Sequence, residues 1–238
     1  MSLPEHRFRI GSIPAVLWGE PSDRLTLYLH GQGGSKEETR AIADLVCAAG
    51  EQLLGVDLPE HGERQGSAER FEPWQVTPEL REVVSFAAPY REVSLFAVSI
   101  GAWFALQGLA DISFSRCLFV SPVVDMERLI TKMMRLSDVT PEQLKKERII
   151  ETSFGQTLSY DYREYVLSHP VERWQSPTAI LYGERDSLVD LDTVTRFAER
   201  FGNRLTVMPG GEHWFHTERQ MTFLREWTAE ELRSDRPR

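Results

Sequence analysis

Cysteine is scarce in this sequence, and long hydrophobic runs are missing altogether. Only Cys47 and Cys117 occur among the 238 residues, too few and too far apart for a disulfide framework or a metal-binding knuckle. We expect both to be small core residues of a protein in a reducing, cytoplasmic compartment. No apolar stretch is long enough to cross a bilayer, and the first residues lack an apolar run behind a basic segment, so neither a membrane partner nor a signal peptide is expected.

An excess of positive charge is also missing. Lys and Arg number 27 against 36 Asp and Glu, which gives a formal net charge of -9, and the basic residues are scattered rather than clustered. Nucleic acid is therefore not an expected partner. The 41% hydrophobic and 26% charged residues are instead typical of a soluble globular protein.

Short apolar runs alternate with amphipathic stretches of helical period along most of the chain. This alternation predicts an α/β fold with a mostly parallel central sheet and helices on both faces. Two opening strands, separated by Gly11 and Pro14, are expected to form an antiparallel hairpin. The predicted strands are 8–10, 15–18, 25–29, 53–56, 93–98, 117–120, 178–182 and 205–207.

Signals for helix starts accompany several of the predicted helices. Ser35, with Glu38 three residues later, forms a capping box for a helix that runs towards Gly50. The pairs 77–78 and 140–141, both Thr-Pro, each indicate a further helix start. Other helices are predicted at 102–109, 192–201 and 218–232.

The pattern changes in the segment 122–170. Helical period persists there for roughly fifty residues without an apolar strand of the usual length. The segment is therefore predicted to be a short helical cap, inserted into a single domain that spans residues 1–238.

The segment 97–101, with the sequence AVSIG, lies between a predicted strand and a predicted helix. A sharp turn there needs small residues beside Ser99 so that the backbone can fold tightly. Ser99 would then protrude from the carboxyl end of the strand, and the free N–H groups of the following helix would point at a negative charge developing beside it. A serine in this position suits nucleophilic attack on a carbonyl group.

This arrangement of strand, serine turn and helix resembles the nucleophile elbow of the α/β-hydrolase superfamily, written small-x-Ser-x-Gly, although Ala97 stands where glycine is commoner. The resemblance is to small serine carboxylesterases and to dienelactone-hydrolase-like and acyl-peptidase-like members, and it covers essentially the whole chain. It implies the α/β-hydrolase fold and a catalytic triad in the chain order Ser, Asp, His, with Ser99 as the nucleophile. Taken alone, the pentapeptide could equally be a buried serine at a strand end.

The family's Gly-x-x-Asp pattern after the penultimate strand matches the segment 182–186, YGERD. The resemblance therefore assigns the acid of the triad to Asp186. Asp190 is the nearest alternative, but its position just before an apolar helical stretch favours helix capping.

The resemblance places the histidine of the triad in the loop after the last strand, where the segment 210–215 has the sequence GGEHWF. Its glycines would let the backbone carry the imidazole of His213 over Ser99. His216 is the alternative, although a solvent-facing or helix-capping role within the next helix is the simpler expectation. The two histidines lack the further ligands of a metal site, so neither a metal nor another cofactor is expected.

The segment 30–34, HGQGG, is similar to the family's His-Gly turn, whose backbone N–H groups stabilise the oxyanion. The resemblance assigns this role to the N–H groups of Gln32 and of Ile100, the residue after the nucleophile. A phosphate-binding loop is the alternative, but Lys36 occupies the place of the third glycine in G-x-G-x-x-G. His61 lies in a turn that usually shapes a loop in this family, and it is assigned a structural role without proton transfer.

Together these residues predict a serine hydrolase that cleaves a carboxylic ester of small or medium acyl chain through an acyl-enzyme. An acyl thioesterase or an aminoacyl peptidase could use the same three side chains. A non-catalytic ligand-binding protein of the same fold is the alternative from another class, but such a protein would be expected to have lost one of the three. The expected partner is a small ester or thioester, and the sequence predicts no oligomeric state.

Overall fold

The computed structural model describes residues 3–234 of the chain. Within this range, ten strands form an eight-stranded sheet and a separate hairpin. The strands are β1 (Glu5–Ile10), β2 (Ile13–Trp18), β3 (Arg24–Leu29), β4 (Gln52–Val56), β5 (Glu92–Val98), β6 (Cys117–Val120), β7 (Ile149–Glu151), β8 (Thr157–Ser159), β9 (Thr178–Gly183) and β10 (Arg204–Met208). The α-helices are α1 (Ala43–Ala48), α2 (Pro73–Phe86), α3 (Ile100–Gly108), α4 (Met126–Leu136), α5 (Pro141–Glu147), α6 (Tyr160–Ser168), α7 (Leu191–Phe201) and α8 (Glu218–Ser234).

The large sheet has the strand order β1-β2-β4-β3-β5-β6-β9-β10. The predicted opening hairpin is confirmed, because β1 and β2 pair antiparallel around a turn in which Gly11 has a φ of 55°. Strand β2 is also antiparallel to β4, whereas the six strands from β4 to β10 in this order are mutually parallel. The loops that follow these six strands therefore leave the sheet at one edge.

Each face of the sheet carries a hydrophobic core covered by helices. On one face, α2, α3 and α7 contribute side chains such as Val76, Phe104 and Val194. On the other face, α1 and α8 contribute Val46 and Trp227. Apolar area on both sides of a sheet is what a mostly parallel arrangement requires, since its strands are buried on both faces. The predicted fold class is confirmed in this respect.

The predicted capping box does not form. Ser35 caps the short 3-10 helix Lys36–Ala41. The Ser35 side chain accepts a hydrogen bond from the Glu37 N–H. Glu38 turns away, because its carboxylate accepts a hydrogen bond from the Tyr28 hydroxyl at 3.0 Å. The α-helix α1 follows as a separate element, so the predicted continuous helix was wrong.

Helix α2 begins earlier than its predicted Thr-Pro start. Pro73 occupies its first turn, where a missing N–H costs no intrahelical hydrogen bond. The Thr77 hydroxyl donates to the carbonyl of Pro73 at 2.7 Å, and Pro78 lies inside the helix. By contrast, the second predicted Thr-Pro start is confirmed, because the Thr140 side chain caps α5 by accepting from the Gln143 N–H.

The segment 122–170 lies between β6 and β9 and contains α4, α5 and α6, as the helical period predicts. It also contains the antiparallel hairpin of β7 and β8, in which Ile149 pairs with Ser159. Each of these strands has three residues, too few for a period of two to be distinguished from helical period. No helix within residues 3–234 combines the length and apolarity needed to cross a membrane.

Candidate active site

The residues singled out in the sequence lie on loops at one edge of the sheet. His30 directly follows β3, and Ser99 follows β5. Asp186 lies three residues beyond β9, and His213 lies five residues beyond β10. Because these strands are parallel, their carboxyl ends form the edge at which open α/β sheets bind ligands.

Ser99 occupies a sharp, strained turn between β5 and α3. Its backbone has φ 51° and ψ -120°, a conformation that residues with a side chain rarely adopt. The turn is held by hydrogen bonds from the Ser99 N–H to the Val120 carbonyl at 2.9 Å and to the Ser99 carbonyl from the N–H groups of Val123 and Ala102 at 3.0 and 3.1 Å. A side chain at Gly101 would place its Cβ 2.6 Å from the His30 carbonyl oxygen. Glycine at this position therefore lets α3 start directly against the end of β3.

The three side chains that form the predicted triad meet at this turn. The Ser99 Oγ lies 2.8 Å from the His213 Nε2, and the His213 Nδ1 lies 2.6 Å from the Asp186 Oδ2. The Asp186 side chain is completely buried, and its other oxygen accepts the N–H groups of Leu188 and Val189 at 2.8 and 2.9 Å. A carboxylate that accepts all these bonds holds the imidazole proton on Nδ1, so Nε2 is free to accept from the serine hydroxyl.

The loops that carry Asp186 and His213 are joined to each other. The Arg185 N–H donates to the Gly211 carbonyl at 2.7 Å, and the Gly210 N–H donates to the Glu184 carboxylate at 2.7 Å. Any Cβ at Gly183 would overlap the backbone of the histidine loop. This close approach explains how a carboxylate and an imidazole 27 positions apart in sequence reach hydrogen-bonding distance.

The alternative acid, Asp190, lies elsewhere and has other partners. It precedes α7 as expected, but its side chain makes no capping hydrogen bond. Instead it pairs with Lys132 and Arg128 of α4, each at 3.2 Å. The Lys132 hydrogen bond is the main reason why the pKa of Asp190 lies below its usual value. The predicted capping role was therefore wrong, because two cations of the neighbouring helix bind the carboxylate.

The alternative histidine, His216, does not contact Ser99. It lies in the loop before α8, not inside that helix, and its Nδ1 donates to the Trp214 carbonyl at 2.7 Å. The two rings stack with centroids 4.6 Å apart. Trp214 itself is 72% exposed, so this stack forms part of the open surface beside His213.

The two predicted oxyanion donors flank Ser99 from different loops. Ile100 is the first residue of α3, and Gln32 lies in the glycine-rich segment 30–34 after β3. Among residues 3–234, neither the Gln32 N–H nor the Ile100 N–H has a hydrogen-bond acceptor. Unsatisfied donors at a helix start and in a glycine-rich turn are suited to binding an anionic oxygen.

The sequence patterns did not predict a buried ion pair that lies behind the segment 30–34. The Lys36 ammonium lies 2.6 Å from the Asp57 carboxylate and 2.8 Å from that of Glu63, although Lys36 is 2% and Asp57 0% exposed. Burial by itself would lower the pKa of Lys36, but the hydrogen bonds to Asp57 and Glu63 outweigh it and raise the pKa. The signal that could have indicated the pair is Asp57, a charged residue directly after an apolar predicted strand.

A separate cleft of about 360 Å³ lies between the segment 122–170 and the helices α3 and α7. Its walls come from α3, α4, α6 and α7, and none of Ser99, Asp186 and His213 lines it. Trp103 of α3 forms one wall and stacks on Tyr162 of α6, with ring centroids 5.6 Å apart. This aromatic contact joins the segment 122–170 to α3, the helix that directly follows Ser99.

Comparison with known proteins places the chain in a family. Its sequence matches the model of the Alpha/beta hydrolase family over residues 27–226. No curated protein matches it significantly. The fold is similar to Est1E from Butyrivibrio proteoclasticus, in a structure with bound ferulic acid, with a TM-score of 0.74 at 20% identity over 95% of this chain and 99% of that one.

Two further solved structures have the same fold. An esterase from Pyrococcus furiosus has a TM-score of 0.67 at 18% identity, covering 96% of this chain and 88% of that one. The thioesterase domain from the curacin biosynthetic pathway has a TM-score of 0.64 at 15% identity, covering 96% and 99%. With a family model that matches most of its length and a mostly parallel sheet of the expected topology, this chain belongs to the α/β-hydrolase family.

Proposed function

We propose that the protein is a serine hydrolase that cleaves a carboxylic ester of small or medium acyl chain. One observation carries the proposal: the Ser99 Oγ is 2.8 Å from the His213 Nε2, and the imidazole is oriented by the buried Asp186 carboxylate at 2.6 Å. This is the arrangement of a nucleophile, a general base and an orienting acid. Membership of the α/β-hydrolase family supports a hydrolytic reaction.

In the proposed mechanism, His213 removes the proton from Ser99 as the serine oxygen attacks the ester carbonyl. The resulting oxyanion is stabilised by the backbone N–H groups of Gln32 and Ile100. Each of these donors lowers the activation barrier by about 3 kcal/mol. The imidazolium then gives its proton to the leaving alcohol, and an acyl-enzyme remains on Ser99. Water, deprotonated by His213, hydrolyses the acyl-enzyme and restores the free serine. Asp186 keeps the imidazole in the required tautomer throughout.

Replacement of the nucleophile tests this proposal. Ser99→Ala removes the attacking oxygen, so we expect kcat to fall roughly 10⁵- to 10⁶-fold while the unfolding temperature stays close to that of the wild type. Labelling by a fluorophosphonate probe should disappear with it. Ser121→Ala is the control, since Ser121 also follows a parallel strand with a positive φ of 44°, but its buried hydroxyl makes no hydrogen bond to His213. Undiminished turnover in Ser99→Ala would exclude Ser99 as the nucleophile.

The same probe separates an enzyme from a binding protein. A wild-type chain that is not labelled at Ser99 would favour a non-catalytic ligand-binding protein, in spite of the three side chains. Stoichiometric labelling that is lost in Ser99→Ala and kept in Ser121→Ala supports the esterase.

The substrate class is tested by comparing leaving groups and acyl chains. We expect kcat/KM to be highest for p-nitrophenyl esters of short or medium chain, lower for acyl thioesters and lowest for aminoacyl amides. A preference for thioesters or amides would identify a thioesterase or peptidase with the same triad.

Both cysteines are free thiols, which supports the proposal that the reaction takes place in a reducing compartment such as the cytoplasm.

A further inference from the structure

His61 makes two hydrogen bonds that fix both the position and the protonation of its ring. Its Nδ1 lies 2.7 Å from the Pro59 carbonyl oxygen, to which only an N–H can donate. Its Nε2 lies 2.9 Å from the Gly33 nitrogen, whose N–H donates to it. The ring is therefore neutral, with its proton on Nδ1 and a lone pair on Nε2.

The surroundings of His61 keep the ring in this place. The side chain is 4% exposed, and its ring centroid is 4.3 Å from that of Phe71 and 5.0 Å from that of His30. The turn beneath it is held by Glu60, which has a φ of 64° and whose carboxylate accepts the Phe71 N–H at 3.0 Å. A ring packed in this way can act as a rigid support for the residue that it binds.

The segment 30–34 needs such a support, because three of its five residues are glycines. Gly33 has a φ of 76° and has open space where a Cβ would lie, so side-chain packing does not restrain it. Within the segment, the Gly34 N–H donates to the Gly31 carbonyl at 3.1 Å, which closes a turn around Gln32. The hydrogen bond from Gly33 to His61 joins this turn to the loop that follows β4, 28 positions away in the sequence.

We propose that neutral His61 is a positioning residue that holds the Gln32 N–H in the orientation required by the oxyanion. This inference rests on the proposed function, in which the Gln32 N–H is one of two oxyanion donors. The Gly33 N–H belongs to the residue directly after Gln32, so its direction restricts the torsion angles that orient Gln32. Both ring nitrogens of His61 already have partners, and the residue therefore acts through the loop rather than by transferring a proton.

Two substitutions separate this role from simple packing. His61→Gln keeps an acceptor that can reach the Gly33 N–H, whereas His61→Leu has a comparable size but no acceptor. We expect kcat of His61→Leu to fall about 10- to 100-fold, less than the roughly 10²- to 10³-fold effect of losing a whole donor, with KM changed less than about threefold. His61→Gln should recover most of kcat. His6→Leu, on the exposed side of β1, is the control substitution.

The restraint itself can be observed without an assay. Imidazole ¹⁵N chemical shifts of the wild type should show the His61 proton on Nδ1, and the Gly33 amide should exchange with solvent slowly in the wild type and in His61→Gln but rapidly in His61→Leu. A proton found on Nε2 would overturn the inference even if His61→Leu does not fold.

The results for Ser99 and His61 distinguish two kinds of failure. If the probe labels Ser99 and a folded His61→Leu turns over like the wild type, the positioning role is wrong while the proposed hydrolase stands. If Ser99→Ala keeps its activity, the proposed function fails and the oxyanion role of the segment 30–34 fails with it. Loss of kcat in His61→Leu together with its recovery in His61→Gln supports both the proposed hydrolase and the positioning role of His61.

Discussion

At the amino edge of the central sheet, Glu51 is 3% exposed and accepts hydrogen bonds from Arg24, Thr26 and Arg116 at 2.7, 2.6 and 2.9 Å. At the carboxyl edge, the side chain of His213 is 18% exposed and contacts a serine in a strained turn. The Glu51 carboxylate is thus buried and paired inside the protein, where a substrate does not reach it. At the carboxyl edge, by contrast, Ser99 and His213 are both partly exposed.

This comparison shows two uses of buried polar groups in one sheet. A buried charge with complete partners holds its neighbours in place, and removal of one partner is costly because the others lose their compensation. A catalytic group needs a partner that orients it and an open side for the substrate. We therefore expect substitutions of the partly exposed triad at the carboxyl edge to change activity, and substitutions of fully buried polar groups such as Glu51 to change stability.

The largest expected effect is on activity at the carboxyl edge. In Asp186→Asn, the amide would donate to the His213 Nδ1 and force the imidazole proton onto Nε2, where it blocks attack by Ser99. We expect kcat to fall about 10⁴-fold, with little change in the unfolding temperature. Asp190→Asn is the matched control, because its carboxylate binds two cations of α4 and does not reach the imidazole. Equal losses in the two variants would contradict the assignment of the acid to Asp186.

At the amino edge, Glu51→Gln should cost stability without affecting chemistry. The amide cannot compensate the charges of Arg24 and Arg116, so we expect the free energy of unfolding to fall by about 3–5 kcal/mol. Urea unfolding measures this loss, and kcat should stay within about twofold of the wild type because no catalytic distance changes. Glu92→Gln is the control, since this partly exposed partner of Arg24 should contribute at most about 1 kcal/mol. A large change in kcat for Glu51→Gln would remove the distinction between the edges.

A smaller, pH-dependent effect is expected from His30, a buried histidine at the carboxyl edge. Burial lowers the pKa of its imidazole to about 4, although a hydrogen bond to Gly31 opposes the shift. Between pH 6.5 and 4 the unfolded chain therefore binds a proton that the folded chain does not. The contribution of neutral His30 to the free energy of unfolding is therefore full above about pH 6.5. It decreases towards pH 4, by up to about 3 kcal/mol.

Replacement of His30 tests this pH dependence. His30→Gln should be less stable at neutral pH, because the amide fits the hydrogen bond from the Leu58 N–H less well. Its free energy of unfolding should nevertheless change less between pH 6.5 and 4 than that of the wild type. An unchanged slope in His30→Gln would show that other groups cause the acid sensitivity.

The predictable parts of this protein are those encoded by neighbouring residues. The eight strands of the sheet follow from short apolar runs, and the position of Ser99 follows from small residues between a strand and a helix. The pairing of Ser99, His213 and Asp186 came from the order of motifs in a family, which local patterns by themselves do not contain. The hairpin of β7 and β8 was not predicted, because strands of three residues carry too little periodicity.

By itself, the sequence determined the eight strands of the large sheet, most of the helices and the residue types available at each strand end, because backbone preferences and hydrophobic period act over a few neighbouring positions. The tertiary structure decided which of those residues meet. Glu38 binds Tyr28 instead of capping its helix, Asp190 binds α4, and His61 accepts a hydrogen bond from Gly33. Each of these contacts joins separate elements, and its energy depends on burial and distance that exist only after the sheet and its helices have packed.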